Sequence, residues 1–283
     1  MRVRLALGRK TTTLNGKTVR RDSDSLEGAG IVVFGPDDLQ LLKAAASERR
    51  RALDRSVFAV RRSYYREALT FERALKARNG LLRRGGFSRE LLESHDETLA
   101  VAGARVVFRR REMATALAPR FAAAFSQIHG DRKASLRYRS HARVEEATTE
   151  SEIGEALRVG LADGRSHDER RGFTGFGPQT DDVDVFLEER LARDHGSQGQ
   201  MRSLVLALKI AELHHTSEHN RETPLLLLDD VASELDEERR ARLFETISSM
   251  ACQTLITITE REHLPALPGR IDWRVSGGRI ALA

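Results

Sequence analysis

Two successive carboxylates, Asp229 and Asp230, close the aliphatic run Thr223-Pro224-Leu225-Leu226-Leu227-Leu228. The run predicts a strand buried on both faces. In open α/β sheets, ligands bind at the carboxyl ends of such strands. Adjacent buried carboxylates repel, and the pair persists best beside a cation or a polar network. Magnesium suits oxygen donors that share it with phosphate. The same two residues could instead cap the next helix or face solvent.

Upstream lies His195-Gly196-Ser197-Gln198-Gly199-Gln200, followed by the apolar stretch Met201 to Lys209. A small hydroxyl-bearing loop opening a helix presents free backbone N–H groups and a helix dipole suited to an anion. Ser197 can bond a phosphate oxygen or simply cap the helix. Downstream, Val231-Ala232-Ser233-Glu234-Leu235-Asp236 leads into a helix carrying Leu243, Phe244, Ile247 and Met250. Asp236 as a helix cap is the plain reading, on the order of 1 kcal/mol. The two segments also resemble the signature loop and the D-loop of ABC-type ATPases. Signature, aliphatic-Asp-Asp and Ser-x-Leu-Asp in that order are more specific than any one alone.

The elements that must position these residues alternate over the last hundred residues. Leu225–Leu228 and Thr254–Thr259 read as buried strands, and 237–250 as a helix. Leu191 to about His214 reads as a loop and then a helix. Trp273–Val275 and Arg279–Leu282 flank Gly277-Gly278 as a closing hairpin. This pattern argues for a parallel sheet covered on its faces. Further upstream, Val3–Leu7 and Thr12–Leu14 read as strands, with Asn15-Gly16 as a hairpin turn. Ile31–Phe34 is a strand ended by Gly35-Pro36, and 37–55 is helical. From Ser63 to about Ile128 the pattern is helical: Tyr64–Leu82, then one or two helices over Ser88–Gln127 with Gly103 and Pro119 as weak points. Apolar heptads are not sustained, which favours a small helical lobe over a coiled coil. Ala134–Tyr138 and Val183–Leu187 are strands, Ile153–Leu161 is a helix, and the charged stretch 164–172 is read as a mobile loop.

The composition bounds the rest. The chain has 283 residues, a net charge of +5 and a single cysteine, Cys252. No disulfide can form within it, which fits a reducing cytoplasm. No run approaches the roughly 18 apolar residues of a membrane span, and the basic amino end lacks the apolar stretch of a secretory signal. The positive balance favours polyanions. Only six of the 47 basic residues are Lys, so the arginine excess also fits a GC-rich genome.

Together, Gly196–Gln200, Leu225–Asp230 and Ser233–Asp236 resemble RecF, a relative of the SMC-type ATPases. Gly8-Arg9-Lys10 with Leu14-Asn15-Gly16-Lys17, Phe34-Gly35-Pro36-Asp37-Asp38-Leu39, Arg49-Arg50-Arg51-Ala52-Leu53-Asp54 and Arg78-Asn79-Gly80-Leu81-Leu82 resemble successive blocks of that family. Gly175-Phe176-Gly177-Pro178 with Asp181-Asp182 resembles another. The resemblance covers nearly the whole chain, with three departures. No Gly-x-x-x-x-Gly-Lys-Ser/Thr loop occurs. The family carries that loop in a segment expected ahead of Met1, so the chain is expected to begin partway through the first lobe. Gln179-Thr180 replace a His-Arg/Lys pair. The strand Thr254–Thr259 runs into Glu260-Arg261 without the switch histidine of ABC transporters.

The resemblance implies an α/β fold, an ABC/SMC-type ATPase head with an inserted helical lobe. Residues 1–62 would be the remainder of lobe I, 63–130 the helical lobe, and 131–283 the carboxy-terminal part of the ATPase lobe. It implies an ATP-dependent homodimer that sandwiches ATP and Mg2+, with weak DNA-stimulated ATPase activity. Asp229 would orient Mg2+ and, following the last buried leucine, sit deeper; Asp230, one step outward, would position the attacking water. Ser197, Gln198, Gly199 and Gln200, with Ser233 and Asp236, would contact nucleotide held by the other subunit. Duplex, gapped or junction DNA, RecR, RecO and a recombinase are the implied partners, and no membrane. Arg49, Arg50, Arg51, Arg109, Arg110 and Arg111 are candidate DNA contacts. Three rivals stay open: a product that binds DNA or RecR without ATP, a metal-dependent nuclease or phosphatase built on Asp181, Asp182, Asp229 and Asp230, and a purely structural coiled-coil protein.

Overall fold

A computed structural model describes residues 2–6, 9–14, 17–19, 31–129, 132–220, 224–230, 235–249, 252–259, 264 and 269–283. Three short strands, β1 (Arg2–Ala6), β2 (Arg9–Leu14) and β3 (Lys17–Val19), form an antiparallel sheet. The Asn15-Gly16 turn between the last two lies outside the described residues. Strand β4 (Ile31–Phe34) buries Val32 and Phe34. The helix expected over 37–55 is split. A 3-10 turn at Pro36–Gln40 comes first, where the Asp38 carboxylate accepts the Gly35 N–H at 3.0 Å. Helix α1 (Ala46–Val60) follows.

The helical part follows. Helix α2 (Tyr64–Arg84) stops at Gly85, whose φ of 65° only glycine adopts without strain. Helix α3 (Arg89–His129) is a single helix of 41 residues, uninterrupted at Gly103 or Pro119. At Gly103 an added Cβ would lie 3.1 Å from Leu157 and 3.3 Å from Pro178, so this glycine admits a close neighbour rather than ending the helix. Strand β5 (Ala134–Arg139) and the short α4 (Ala142–Glu145) lead to that neighbour, α5 (Glu150–Arg171). The loop expected over 164–172 is therefore helical through Arg171. Its charges are not a mark of mobility, since Asp168 is 2% exposed and bonded. Helix α5 opens with a reciprocal Thr149/Glu152 capping box.

Strand β6 (Asp182–Leu187) lies antiparallel between β5 and β7 (Arg190–Leu191). The short α6 (Ala192–His195) precedes α7 (Gln198–Asn220), β8 (Leu225–Asp229), α8 (Glu237–Ser249) and β9 (Thr254–Thr257). Strands β10 (Trp273–Ser276) and β11 (Arg279–Leu282) form the expected hairpin.

The sheet that carries the carboxylates is β4-β8-β9, parallel throughout. Val32, Phe34, Leu226 and Leu228 enter the same core as Leu204, Leu208 and Ala211 of α7. The opposite face leaves Val33 and Leu255 at 51% and 55% exposure. The reading of this sheet as buried on both faces is corrected: alternate side chains point to opposite faces, and one face carries α7. One continuous core joins this sheet to α3, α5 and β6.

Candidate functional site

The carboxyl ends of β4, β8 and β9 meet at one crevice. Register places Phe34 beside Leu228 and Asp229 beside Thr257. Gly35 lies just beyond β4, where an added Cβ would be 4.0 Å from the Asp229 Cβ. Asp229 is exposed, and its Oδ1 accepts the Thr257 hydroxyl at 2.6 Å. Asp230 turns back with φ of 48°, and its N–H donates to the Thr257 carbonyl at 3.1 Å. A left-handed aspartate is tolerated better than most side chains there, at some backbone cost. This reverses the expected depths: Asp229 stands out in solvent, and Asp230 is half-buried. Thr257 was not singled out from sequence, where it reads only as a strand residue.

The donors at this crevice are hard oxygens, and one Asp229 oxygen is already oriented by a hydroxyl. That set fits a magnesium ion shared with phosphate oxygens. Among the described residues no group of three or more His, Cys, Asp or Glu is placed to hold a metal, so phosphate and water must complete its shell.

Ser197 and Gln200 form a capping box at the start of α7. The Ser197 Oγ accepts the Gln200 N–H at 3.3 Å, and the Gln200 Oε1 accepts the Ser197 N–H at 2.8 Å. Ser197 and Gln198 are exposed, Gly199 and Gln200 partly so. The first turn of α8 joins this corner through Arg239, which the sequence did not single out. Its Nε donates to the Ser203 Oγ at 2.7 Å, Nη2 lies 3.3 Å from a Cβ placed on Gly199, and Nη1 pairs with Asp236. Ser233 lies outside the described residues.

The crevice and the Ser197 corner are separated along α7. Lys209 pairs with Asp38 at 3.2 Å, beside the strand ends. It lies twelve positions beyond Ser197, roughly 18 Å along the axis.

Most of the clustered arginines are held by protein partners. Arg49 is 7% exposed and donates to both Asp182 oxygens at 2.8 Å. Arg50 donates to the Asp181 carbonyl at 2.6 Å. Arg110 is buried, bonded to Asp54 at 2.7 and 2.8 Å and to the Pro178 carbonyl at 2.9 Å. Arg111 donates to Ser140 and Val144 at 2.7 Å. Arg109 pairs with Glu112 at 2.7 Å and is mostly covered. Only Arg51 of the six stands well out in solvent, where it meets Glu48. Arg49 and Arg50 thereby tie α1 to β6 and the residue before it, Arg110 ties α3 to α1, and Arg111 ties α3 to α4. Gln179 likewise holds a loop, donating to the Thr174 and Phe176 carbonyls. Asp181 and Asp182, the acids of the nuclease reading, lie within these buried networks.

No family model matches the chain. Among known proteins it is 42% identical over 272 residues to the DNA replication and repair protein RecF of Anaeromyxobacter sp. (strain K), covering 94% of this chain and 73% of that protein. The chain belongs to the RecF family. The RecF of Myxococcus xanthus (strain DK1622) is 40% identical over 281 residues, covering 97% and 74%. The RecF of Geobacter sulfurreducens is 37% identical over 283 residues, covering 98% and 77%. A solved structure of the recombination mediator RecF with ATPrS, in the RecFOR pathway, superposes with a TM-score of 0.87 at 30% identity, covering 97% of this chain and 73% of that one. The fold is accordingly the α/β ATPase head of RecF with its helical region. No helix among the described residues is long and apolar enough to cross a membrane.

Proposed function

We propose that this chain acts in DNA repair as one side of an ATP-gated RecF dimer. In this reading Ser197, Gln198, Gly199 and Gln200, with Ser233 and Asp236, close over nucleotide held by another subunit. Asp229 orients magnesium, which supplies charge neutralisation of the phosphates when bound. Asp230, half-buried at the strand end, positions the attacking water. The observation that carries this is the spacing along α7. Lys209, whose side chain reaches Asp38 near the crevice, lies roughly 18 Å along α7 from Ser197; in this reading one triphosphate does not reach both within one chain, and two chains placed head to tail bring them together. A solved RecF with bound ATP, 28% identical to this chain, adds support for nucleotide in the family.

The dimer would bind duplex, gapped or junction DNA through phosphate contacts and, with RecR and RecO, help place a recombinase on single strands in the cytoplasm. Turnover would be slow and DNA-stimulated. The chain contains no phosphate-binding loop sequence, whose N–H groups and lysine normally hold the β- and γ-phosphates. The 283 residues alone are therefore expected to bind ATP no tighter than the micromolar range.

The test mixes this chain with an intact RecF relative and weighs the complexes with and without ATP. A mixed dimer that forms only with ATP and is lost in Ser197→Arg is the expected result. A mixed dimer indifferent to ATP, or one that survives Ser197→Arg, overturns the composite site. Salt-dependent DNA binding with no mixed dimer under any condition favours the second reading, a DNA- or RecR-binding protein without ATP.

A further inference from the structure

At the carboxyl end of α3, beside α8, lies a cavity of about 300 Å³ lined by Ile128, His129, Glu238, Arg239 and Arg242. Among its described lining residues are two guanidiniums, one imidazole and the Glu238 carboxylate. Glu238 is already bonded to the Arg242 Nη2 at 2.9 Å. The Arg242 Nη1 donates to the Gln127 carbonyl near the end of α3. Arg239 is fixed by Ser203 and Asp236. What these contacts leave over is informative. The Arg242 Nε and the His129 Nε2 are shielded from solvent, yet neither has a hydrogen-bond partner. The Arg242 Nε–H is always a donor, and the His129 Nε2 is one in its Nε2–H tautomer; a shielded polar nitrogen without a partner costs on the order of 1–3 kcal/mol, so two around one cavity mark a place where an acceptor fits. The His129 ring is held edge-on by Phe125, with centroids 5.2 Å apart. Burial, and then the Arg239 and Arg132 guanidiniums, hold its pKa below the ordinary histidine value against the opposing pull of Glu238.

We propose that this cavity is a binding site for a single phosphate group, with the His129 Nε2, the Arg242 Nε and the Arg239 guanidinium as its donors. Planar guanidiniums and an imidazole match phosphate oxygens in geometry and charge. An apolar ligand would leave the same donors without partners, and a carboxylate-bearing one would fill fewer of them. The phosphate can come from a free nucleotide or from a nucleic-acid backbone, and the chemistry at the cavity is the same. The site uses none of Asp229, Asp230 or Ser197.

The test follows the ring resonances of His129, assigned through His129→Gln, in the full chain titrated with inorganic phosphate. This titration needs neither nucleotide nor dimer, so it stands or falls apart from the ATP reading. A saturable shift at His129, with His95 and His167 unmoved, is expected. It should weaken by tenfold or more, roughly one to two charge-assisted hydrogen bonds, in Arg239→Gln/Arg242→Gln. Arg239→Lys/Arg242→Lys keeps the charge and guards against loss of fold; it should bind detectably and more weakly than the parent. Further titrations identify the source. If the backbone is the ligand, the double Gln variant lowers the slope of log affinity for duplex DNA against log salt by about 1. If a nucleotide is the ligand, ATP shifts His129 and DNA does not. No saturable His129 shift with inorganic phosphate, or an equal shift in parent and double Gln variant, overturns the proposal.

Discussion

Replacing Arg78 by Met should be among the most damaging single changes in this chain. The Arg78 side chain is fully buried. Its Nε donates to Asp96 at 2.6 Å, and its Nη1 to Asp168 at 2.7 Å and Thr174 at 2.8 Å. One guanidinium thereby ties α2 to α3, to α5 and to the loop after it. The two carboxylates are 1% and 2% exposed. Without Arg78, Asp96 keeps Arg165 at 2.7 Å, whereas Asp168 keeps the Gly175 N–H at 2.9 Å. Breaking a buried pair by removing one partner typically costs about 3–5 kcal/mol. Against a total of roughly 5–15 kcal/mol, that is a large share. With an m-value of about 3 kcal/mol per molar urea, the urea midpoint should fall by about 1 M or more. The cost comes from stranded charge, so adding Asp168→Asn should return a sizeable part of it. Arg78→Lys should not rescue, because one ammonium cannot span both carboxylates as the fork does. A loss below about 1 kcal/mol, or a double variant no better than Arg78→Met, would refute the reasoning.

Three further expectations concern other sites. Burial pushes the Asp181 carboxyl up to about 6 from 3.8, against the opposing pull of Tyr138, Arg110, Arg111 and Arg50. Raised in the fold, it contributes stability below pH 4 that is lost as pH rises to about 6, about 3 kcal/mol for a shift of two units. Asp181→Asn should flatten that part of the stability–pH curve in urea denaturation, and an unchanged difference between the two proteins from pH 4 to 7 would count against it. Gly160→Ala would set a Cβ 2.2 Å from the Phe176 ring, and overpacking of this kind costs about 1–3 kcal/mol. Thermal unfolding should show the loss and its partial recovery with Phe176→Leu. In a version joined to the segment that completes its relatives, Asp230→Asn should lower ATP turnover by on the order of 10²–10⁴ while nucleotide-driven dimerisation persists; turnover at the parental rate would show that Asp230 does not act on the water.

The sequence made the strands of the ATPase sheet legible because short aliphatic runs bounded by Gly, Pro and Asp have few other uses. Helices α2, α7 and α8 were legible for the same kind of reason. The misreadings share a cause, which is distance along the chain. Arg49 and Arg110 look like surface charges until Asp182 and Asp54 arrive from 133 and 56 residues away. Stretch 164–171 looks like a solvated loop until Asp168 meets Arg78, 90 residues upstream. Gly103 looks like a helix break until Leu157 and Pro178 claim the space of its missing Cβ. Asp229 and Asp230 were placed at the right strand end, but the backbone turn at Asp230 that exchanges their depths has no sequence signal beyond the residue's tolerance of positive φ.

Helix α3 gives the molecule a mechanical span. Its 41 residues reach roughly 60 Å at the usual rise. One end lies beside the tips of α2 and α5, and the other stops at His129 against α8. Along the way it packs on α2, α5, β5, α1 and α7, so it behaves as a boom clamped along its length rather than hinged. A boom of that length converts a tilt of about 3° at His129 into a displacement of roughly 3 Å at Arg89. Small adjustments beside α8 are thereby large at the far tip of the helical region, with no break in the helix between them.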